Sequence, residues 1–177
     1  MHQLAATGSE RGVRNALHRL AETGLVDATA VGPSVQYTLN REHVAAAAVL
    51  ELTSLRPRLF DRFRASIDAW AIKPEHASIF GSAARGDGNL DSDIDLLIVH
   101  RFDKPSAAWE EQLSELSSQA LRWSGNYLQT YVLSTDGLLA HLEAAEPIVD
   151  DWKRDGVRIH GPEIRTLINQ LTHRESA

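Results

Sequence analysis

Between Ala77 and Val99 two short apolar runs, Ala77 to Phe80 and Ile94 to Val99, are joined through Gly81-Ser82 and a polar stretch of Gly, Asp, Asn and Ser. Runs this short, bounded by turn residues, read as buried strands, because a helix needs a longer periodic pattern to bury a face. Tyr127 to Leu133 is a third such run. Between and after the runs the spacing turns helical: Trp109, Leu113, Leu116, Ala120 and Leu121, then Leu138 to Ala145, then Pro147 to Asp155, with Pro162 opening a last short helix. Strands alternating with helices predict an α/β (α+β) core, a small mixed sheet flanked by helices, over residues 73–177.

The stretch after the first strand carries the chemistry. Gly81 permits a sharp turn, and a helix beginning at Ala83-Ala84-Arg85 would offer free N–H groups, with the Ser82 hydroxyl beside them, to a phosphate. Asp93 and Asp95 alternate with Ile94, Leu96 and Ile98, so on a strand both acids face one side while the aliphatics face the core. Two carboxylates about 6 Å apart at an effective dielectric near 20 repel by roughly 3 kcal/mol, about two pKa units, and a divalent cation removes that conflict. Oxygen-only ligands beside a phosphate site favour Mg²⁺ or Mn²⁺ over zinc.

Gly81-Ser82, ten further residues, then Asp93-Ile94-Asp95, with Ala84-Arg85-Gly86-Asp87 and Ser92 between, resembles the signature of the DNA polymerase β-type nucleotidyltransferase superfamily, in particular its minimal branch of antitoxins and aminoglycoside nucleotidyltransferases. The resemblance implies that Gly81, Ser82, Arg85 and Ser92 bind a nucleoside triphosphate, ATP being the expected one. It implies that Asp93 and Asp95 are the catalytic, metal-binding pair that joins the nucleotide to an acceptor hydroxyl. Enzymes of this family usually add a third carboxylate from a later strand. Here that strand has Gln129 and no acid, and an amide takes up no proton at neutral pH. Asp136, in the loop beyond, is the alternative source.

The first forty residues resemble the second half of a winged helix-turn-helix. Ala5 to Gly8 fits the turn, a Ser9-capped helix to Thr23 the recognition element, and Gly24-Leu25-Val26 with Tyr37-Thr38-Leu39-Asn40 the wing strands, within a hairpin of Leu25 to Ala30 and Val35 to Leu39 turning at Gly32-Pro33-Ser34. Arg11, Arg14, His18 and Arg19 lie largely off the Val13, Leu17 and Leu20 stripe, where they would meet duplex DNA. About eight residues precede Ser9, so the backing helix is expected from a partner subunit in a homodimer, from the Arg41 to Leu55 helix, or from an upstream start. Residues 41–72, capped by Asn40 and interrupted by Pro57, are expected to be connecting helices, with Leu59, Phe63, Ile67 and Trp70 as the buried stripe.

A net charge of -6 removes global attraction to phosphate, so any nucleic-acid contact must be local. The absence of cysteine excludes disulfide scaffolds, thiol nucleophiles and cysteine–zinc sites, and fits a cytoplasmic protein. No apolar run approaches the roughly 18 residues of a membrane span. Trp109, Trp123 and Trp152 read as core or partner contacts, and of His76, His100 and His160 only His100 is a candidate for lining a cleft. Two functions follow. One is metal-dependent transfer of a nucleoside monophosphate to a hydroxyl, on a toxin or another acceptor. The other is a DNA-binding regulator or antitoxin whose nucleotide pocket only senses.

Overall fold

The computed structural model describes residues 9–88 and 92–175, so the turn expected at Ala5 to Gly8 and the motif residues Asn89, Leu90 and Asp91 lie outside the described residues. The chain divides into two units, Met1–Arg56 and Pro57–Ala177.

In the first unit α1 (Glu10–Glu22) starts where Ser9 accepts a hydrogen bond from the Gly12 N–H at 3.1 Å, with Glu10 against the positive helix end. It stops at Thr23, and Gly24 turns the chain into an antiparallel hairpin, β1 (Val26–Val31) and β2 (Ser34–Leu39). Only Gly32 and Pro33 separate the strands, and Gly32 takes φ 59°, the position where a type II′ turn requires glycine. Asn40 does not cap a helix. Its carboxamide accepts from the Glu42 N–H and donates to the Gly24 carbonyl, tying the hairpin's exit to its entry. Turns follow, and α2 (Ala46–Thr53) begins without a side-chain cap. Ala46 is the one buried residue among the described residues of this unit.

The helical stretch breaks at Ser54 and not at Pro57: α3 (Leu55–Asp68) carries Pro57 in its first turn, where no N–H partner is lost. The second unit then builds a four-stranded sheet from β3 (His76–Phe80), β4 (Ile94–His100), β5 (Leu128–Ser134) and β6 (Val157–His160), in the order β5-β4-β3-β6. β4 and β5 are parallel and the other pairs antiparallel. The one-turn α4 (Gly81–Arg85) lies between β3 and β4, α5 (Ala107–Ser124) between β4 and β5, and α6 (Thr135–Glu143) and α7 (Pro147–Asp155) between β5 and β6. α8 (Ile164–Glu175) closes the chain as a twelve-residue helix that begins two residues after Pro162. β6 has no expected counterpart, because four residues carrying an arginine and a histidine leave too little apolar pattern.

The architecture is mixed α/β, with eight helices among the described residues. One face of the sheet, with Ala77, Ile79, Ile94, Leu96, Ile98 and Ile159, is covered by Phe60, Phe63, Ile67 and Trp70 of the α3 stretch and by Trp109, Leu116 and Ala120 of α5. The other, with Phe80, Leu97 and Val99, is covered by α6, α7 and α8 through Leu138, Val149, Trp152 and Leu167. β4 is therefore buried on both faces along most of its length, which explains its nearly unbroken aliphatic sequence. Its polar side chains stand only near its two ends, Asp95 at the start and His100 at the close. Among the described residues no helix is long and apolar enough to cross a membrane.

Candidate nucleotide site at the start of the central strand

β3 ends at Phe80, which pairs across the ladder with Asp95, and the next residue, Gly81, takes φ +68° to swing the chain into α4. A Cβ built on Gly81 would lie 2.5 Å from Asp95 Oδ2. The Asp95 carboxylate thus occupies the space beside the Gly81 α-carbon, so a side chain here would be strained by the backbone and would have to displace that carboxylate. α4 is a single turn: Gly86, at φ 80°, donates its N–H to the Ser82 carbonyl at 2.8 Å and ends it. So short a helix has little macrodipole, and any preference for an anion rests on local N–H groups and side chains. Beyond the turn, a Cβ on Gly88 would sit 3.2 Å from Ser82 Oγ and 3.5 Å from Ser92 Oγ, so the loop brings both hydroxyls to one glycine. The Ser92 carbonyl accepts from the Asn126 side chain at 2.8 Å, which ties the loop to the start of β5.

Asp93 is exposed one residue before β4, and Asp95 is half-buried on it. Burial raises the Asp95 pKa, Asp93 raises it further, and Arg85 opposes both. Desolvation outweighs the mutual repulsion expected from spacing alone, because Asp95 faces the Phe80–Leu97 side of the sheet. A carboxyl with a raised pKa imposes a cost on the folded state that is absent below its ordinary pKa and fully present once the pH rises through the raised one. Asp95→Asn, which keeps the shape, is expected to raise Tm by about 2 °C at neutral pH without divalent cations, partial exposure keeping the gain small. An unchanged or lowered Tm in a thermal melt would contradict this electrostatic account.

Arg85 is held on two sides. Its Nε donates to Asp87 Oδ2 at 3.0 Å and its Nη1 to Asp155 Oδ2 at 2.8 Å. Asp155 also accepts from Arg154 Nε at 2.9 Å, and the two arginines pull its carboxyl down to about 2. It remains ionised at any ordinary pH.

Gly81, Ser82, Arg85, Ser92, Asp93 and Asp95 therefore gather at one end of the sheet's two inner strands, β3 and β4. Gln129 joins them: it is the register partner of Asp95 on β5 and is exposed. Asp136 does not. It follows Ser134, which pairs with His100 at the far end of β4, about 16 Å along the strand from Asp95 at ~3.3 Å per residue. His100 lines no cleft with the acids either. It stacks on Phe102 with ring centroids 4.1 Å apart, and burial lowers its pKa. His76 is likewise internal, between the Pro162 carbonyl and Ser78 Oγ. Trp109 and Trp152 are core residues, and Trp123 packs edge-on to Phe63. A cavity of about 880 Å³ opens between α3 and α5, lined by Trp70, Gln112, Glu115 and Trp123, and includes none of the gathered residues.

In the first unit Arg11, Arg14, His18 and Arg19 are exposed on α1, but Arg14 is 2.7 Å from Glu10 and His18 3.6 Å from Glu22, so two of the four have a carboxylate at hand.

Sequence reasoning missed Asp155. The signal was an acid in the last turn of a helix, where the negative dipole end disfavours it unless cations hold it.

Among the described residues no three His, Cys, Asp or Glu side chains converge as a metal-binding group. Asp93 and Asp95 nevertheless fit a divalent cation that takes its remaining oxygens from a nucleotide and water, since their chemistry is all-oxygen and Arg85 offsets their shared charge only in part.

No curated protein matches the chain. Solved structures do. A toxin–antitoxin complex with AMP-PNP is 16% identical with TM-score 0.40, over 66% of this chain and 90% of that one. A mutant of the toxin–antitoxin pair MntA–HpeT is 15% identical with TM-score 0.40, over 66% and 90%. The Shewanella oneidensis tri-AMPylated HEPN toxin in complex with its MNT antitoxin is 12% identical with TM-score 0.37, over 68% and 90%. Residues 68–153, a little under half the chain and the stretch that holds the Gly81–Ser82 bend, both aspartates and Gln129, match the family model of the nucleotidyltransferase domain.

Proposed function

We propose that the second unit transfers a nucleoside monophosphate, AMP from ATP, to an acceptor hydroxyl. The observation that carries this reading is the Asp95 carboxylate lying against Gly81, with Asp93 close enough to raise its pKa. Gly81 and Ser82 bind the phosphates, Ser92 adds a second hydroxyl, and Arg85 supplies positive charge. The acceptor oxygen bonds to the α-phosphorus as the bond to pyrophosphate breaks, and the hydroxyl proton leaves to solvent or to a phosphate oxygen, since Gln129 accepts none. Asp93 and Asp95 would hold Mg²⁺ or Mn²⁺, which when bound offsets phosphate charge.

Asp93 is exposed and the cavity lies elsewhere, which favours a macromolecular acceptor. We take it to be a protein hydroxyl, on a toxin or another partner, in the cytoplasm. Purified protein incubated with α-labelled ATP, Mg²⁺ and lysate is expected to label an acceptor, and the label should disappear in the Asp93→Asn variant. No labelled acceptor under these conditions would remove the transfer reading.

A second reading is favoured by Gln129, which takes up no proton, standing in register with Asp95, and by α1 presenting exposed cations. In it the first unit is a winged helix that binds duplex DNA as a homodimer, and the nucleotide only modulates it. Arg11→Ala should then weaken duplex binding and shrink the slope of log K against log salt by about one. Binding that keeps its affinity and slope would exclude α1 as the contact.

A further inference from the structure

We infer that Asp155, beyond the family-matched stretch, is a positioning residue that fixes the Arg85 guanidinium beside the carboxylate pair and so sets its approach to the nucleotide phosphates. The inference rests on the nucleotidyl-transfer reading of the same site. Its starting point is a conflict: Asp155 ends α7, where the helix's unpaired carbonyls repel a carboxylate, and its side chain is only 7% exposed. An acid persists in such a place only when cations compensate it. Two do. Arg154, beside it, donates from Nε and from Nη2 at 3.0 Å, and is itself tied to Asp151. Arg85 comes from the other side, seventy residues away in sequence.

The rigidity of the arrangement comes from beneath. Trp152, one turn back on α7, is buried and meets Phe80 edge-on at 6.3 Å between ring centroids, and Phe80 is the residue just before Gly81. α7 is thus fixed to the same strand end that launches the phosphate-facing turn. Gly156 follows, where a Cβ would run into the Trp152 carbonyl, so the chain leaves α7 along a single narrow path. Asp87 holds the Nε edge of the guanidinium and Asp155 one Nη, while the side chain keeps 42% of its surface exposed. Its charge still reaches Asp95, whose pKa it lowers. A cation already fixed in place loses little conformational freedom when an anion arrives, whereas a free arginine must first be ordered.

The test compares wild type with Asp155→Asn, Asp155→Glu, Arg85→Ala and the Arg85→Ala/Asp155→Asn double variant, by calorimetric titration with Mg·ATP and by the rate at which phenylglyoxal modifies Arg85, read by peptide mass spectrometry. Asp155→Asn is expected to weaken ATP binding about tenfold, as loss of a hydrogen bond to a charged group does, and Asp155→Glu to recover part of it. Adding Asp155→Asn to Arg85→Ala should change nothing further, because Asp155 acts through Arg85. Modification of Arg85 should quicken several-fold in Asp155→Asn even without nucleotide. Wild-type affinity in a folded Asp155→Asn protein, or losses that simply add in the double variant, overturns the inference while leaving the nucleotide reading intact. A wild-type protein that binds no ATP overturns that reading instead, and unchanged phenylglyoxal rates then refute the clamp itself. If Asp155→Asn does not fold, Asp155→Glu decides: it must shift both the Arg85 modification rate and the ATP affinity.

Discussion

Asp93→Asn is expected to lower the rate of labelled-AMP transfer by about 10³-fold or more, with little change in the thermal melt. The two halves of that expectation have separate causes. Asp93 is exposed, precedes β4 and has no place in either apolar cluster, so replacing it with its isostere removes no packing. Its charge is what the proposed transfer would use. With Gln129 neutral, Asp93 and Asp95 are the two carboxylates of the gathered residues, whereas the nearby Asp87 and Asp155 are hydrogen-bonded to Arg85. Removing one leaves a single carboxylate for a divalent cation, and a loss of about 4 kcal/mol from charge stabilisation in the transition state corresponds to that rate factor. The measurement is the initial rate of incorporation from α-labelled ATP at saturating Mg²⁺, beside a melt of the same preparation. A variant that transfers at a tenth of the wild-type rate or faster would exclude Asp93 from the proposed catalytic pair. A collapsed melt would show instead that the residue supports the fold.

The site was more legible than the fold around it, for a physical reason. Gly81, Ser82, Asp93 and Asp95 are close in sequence and stand where β3 ends and the adjoining antiparallel β4 begins, so spacing alone brings them together. Strand periodicity likewise located β3, β4 and β5 to within a residue or two. What spacing does not contain is which groups arrive from distant parts of the chain. Asp155 reaches Arg85 across seventy residues, Asn126 reaches Ser92 across thirty-four, and β6 enters the sheet beside β3 with almost no pattern of its own. Nor does spacing measure burial, which is why repulsion between the acids was expected to dominate where desolvation of Asp95 does. Asp136 fails for a related reason: β5 is parallel to β4, so its far end leads away from the acids.

Gly81→Ala should separate stability from chemistry in the opposite sense to a core substitution, costing about 1 to 2 kcal/mol of folding free energy but at least ~10²-fold in transfer. Alanine at φ +68° bears the left-handed penalty whatever surrounds it, which for a chain of this size lowers Tm by roughly 2 to 8 °C. The added methyl then meets Asp95 Oδ2 at 2.5 Å. The atom it meets is the tip of a side chain and not backbone, so the clash is relieved by the carboxylate swinging away and adds little to the folding cost. That same swing moves a charge the site needs, and a displacement of about 1 Å at a reacting centre is enough for a hundredfold loss. The cycle with Asp95→Ala makes the argument decisive. Without the carboxylate, Gly81→Ala should retain only its backbone penalty in the melt, and transfer should already be lost, so the two substitutions combine less than additively in rate. If Gly81→Ala transfers nucleotide at the wild-type rate, then Asp95 does not act from the position it holds against the bend.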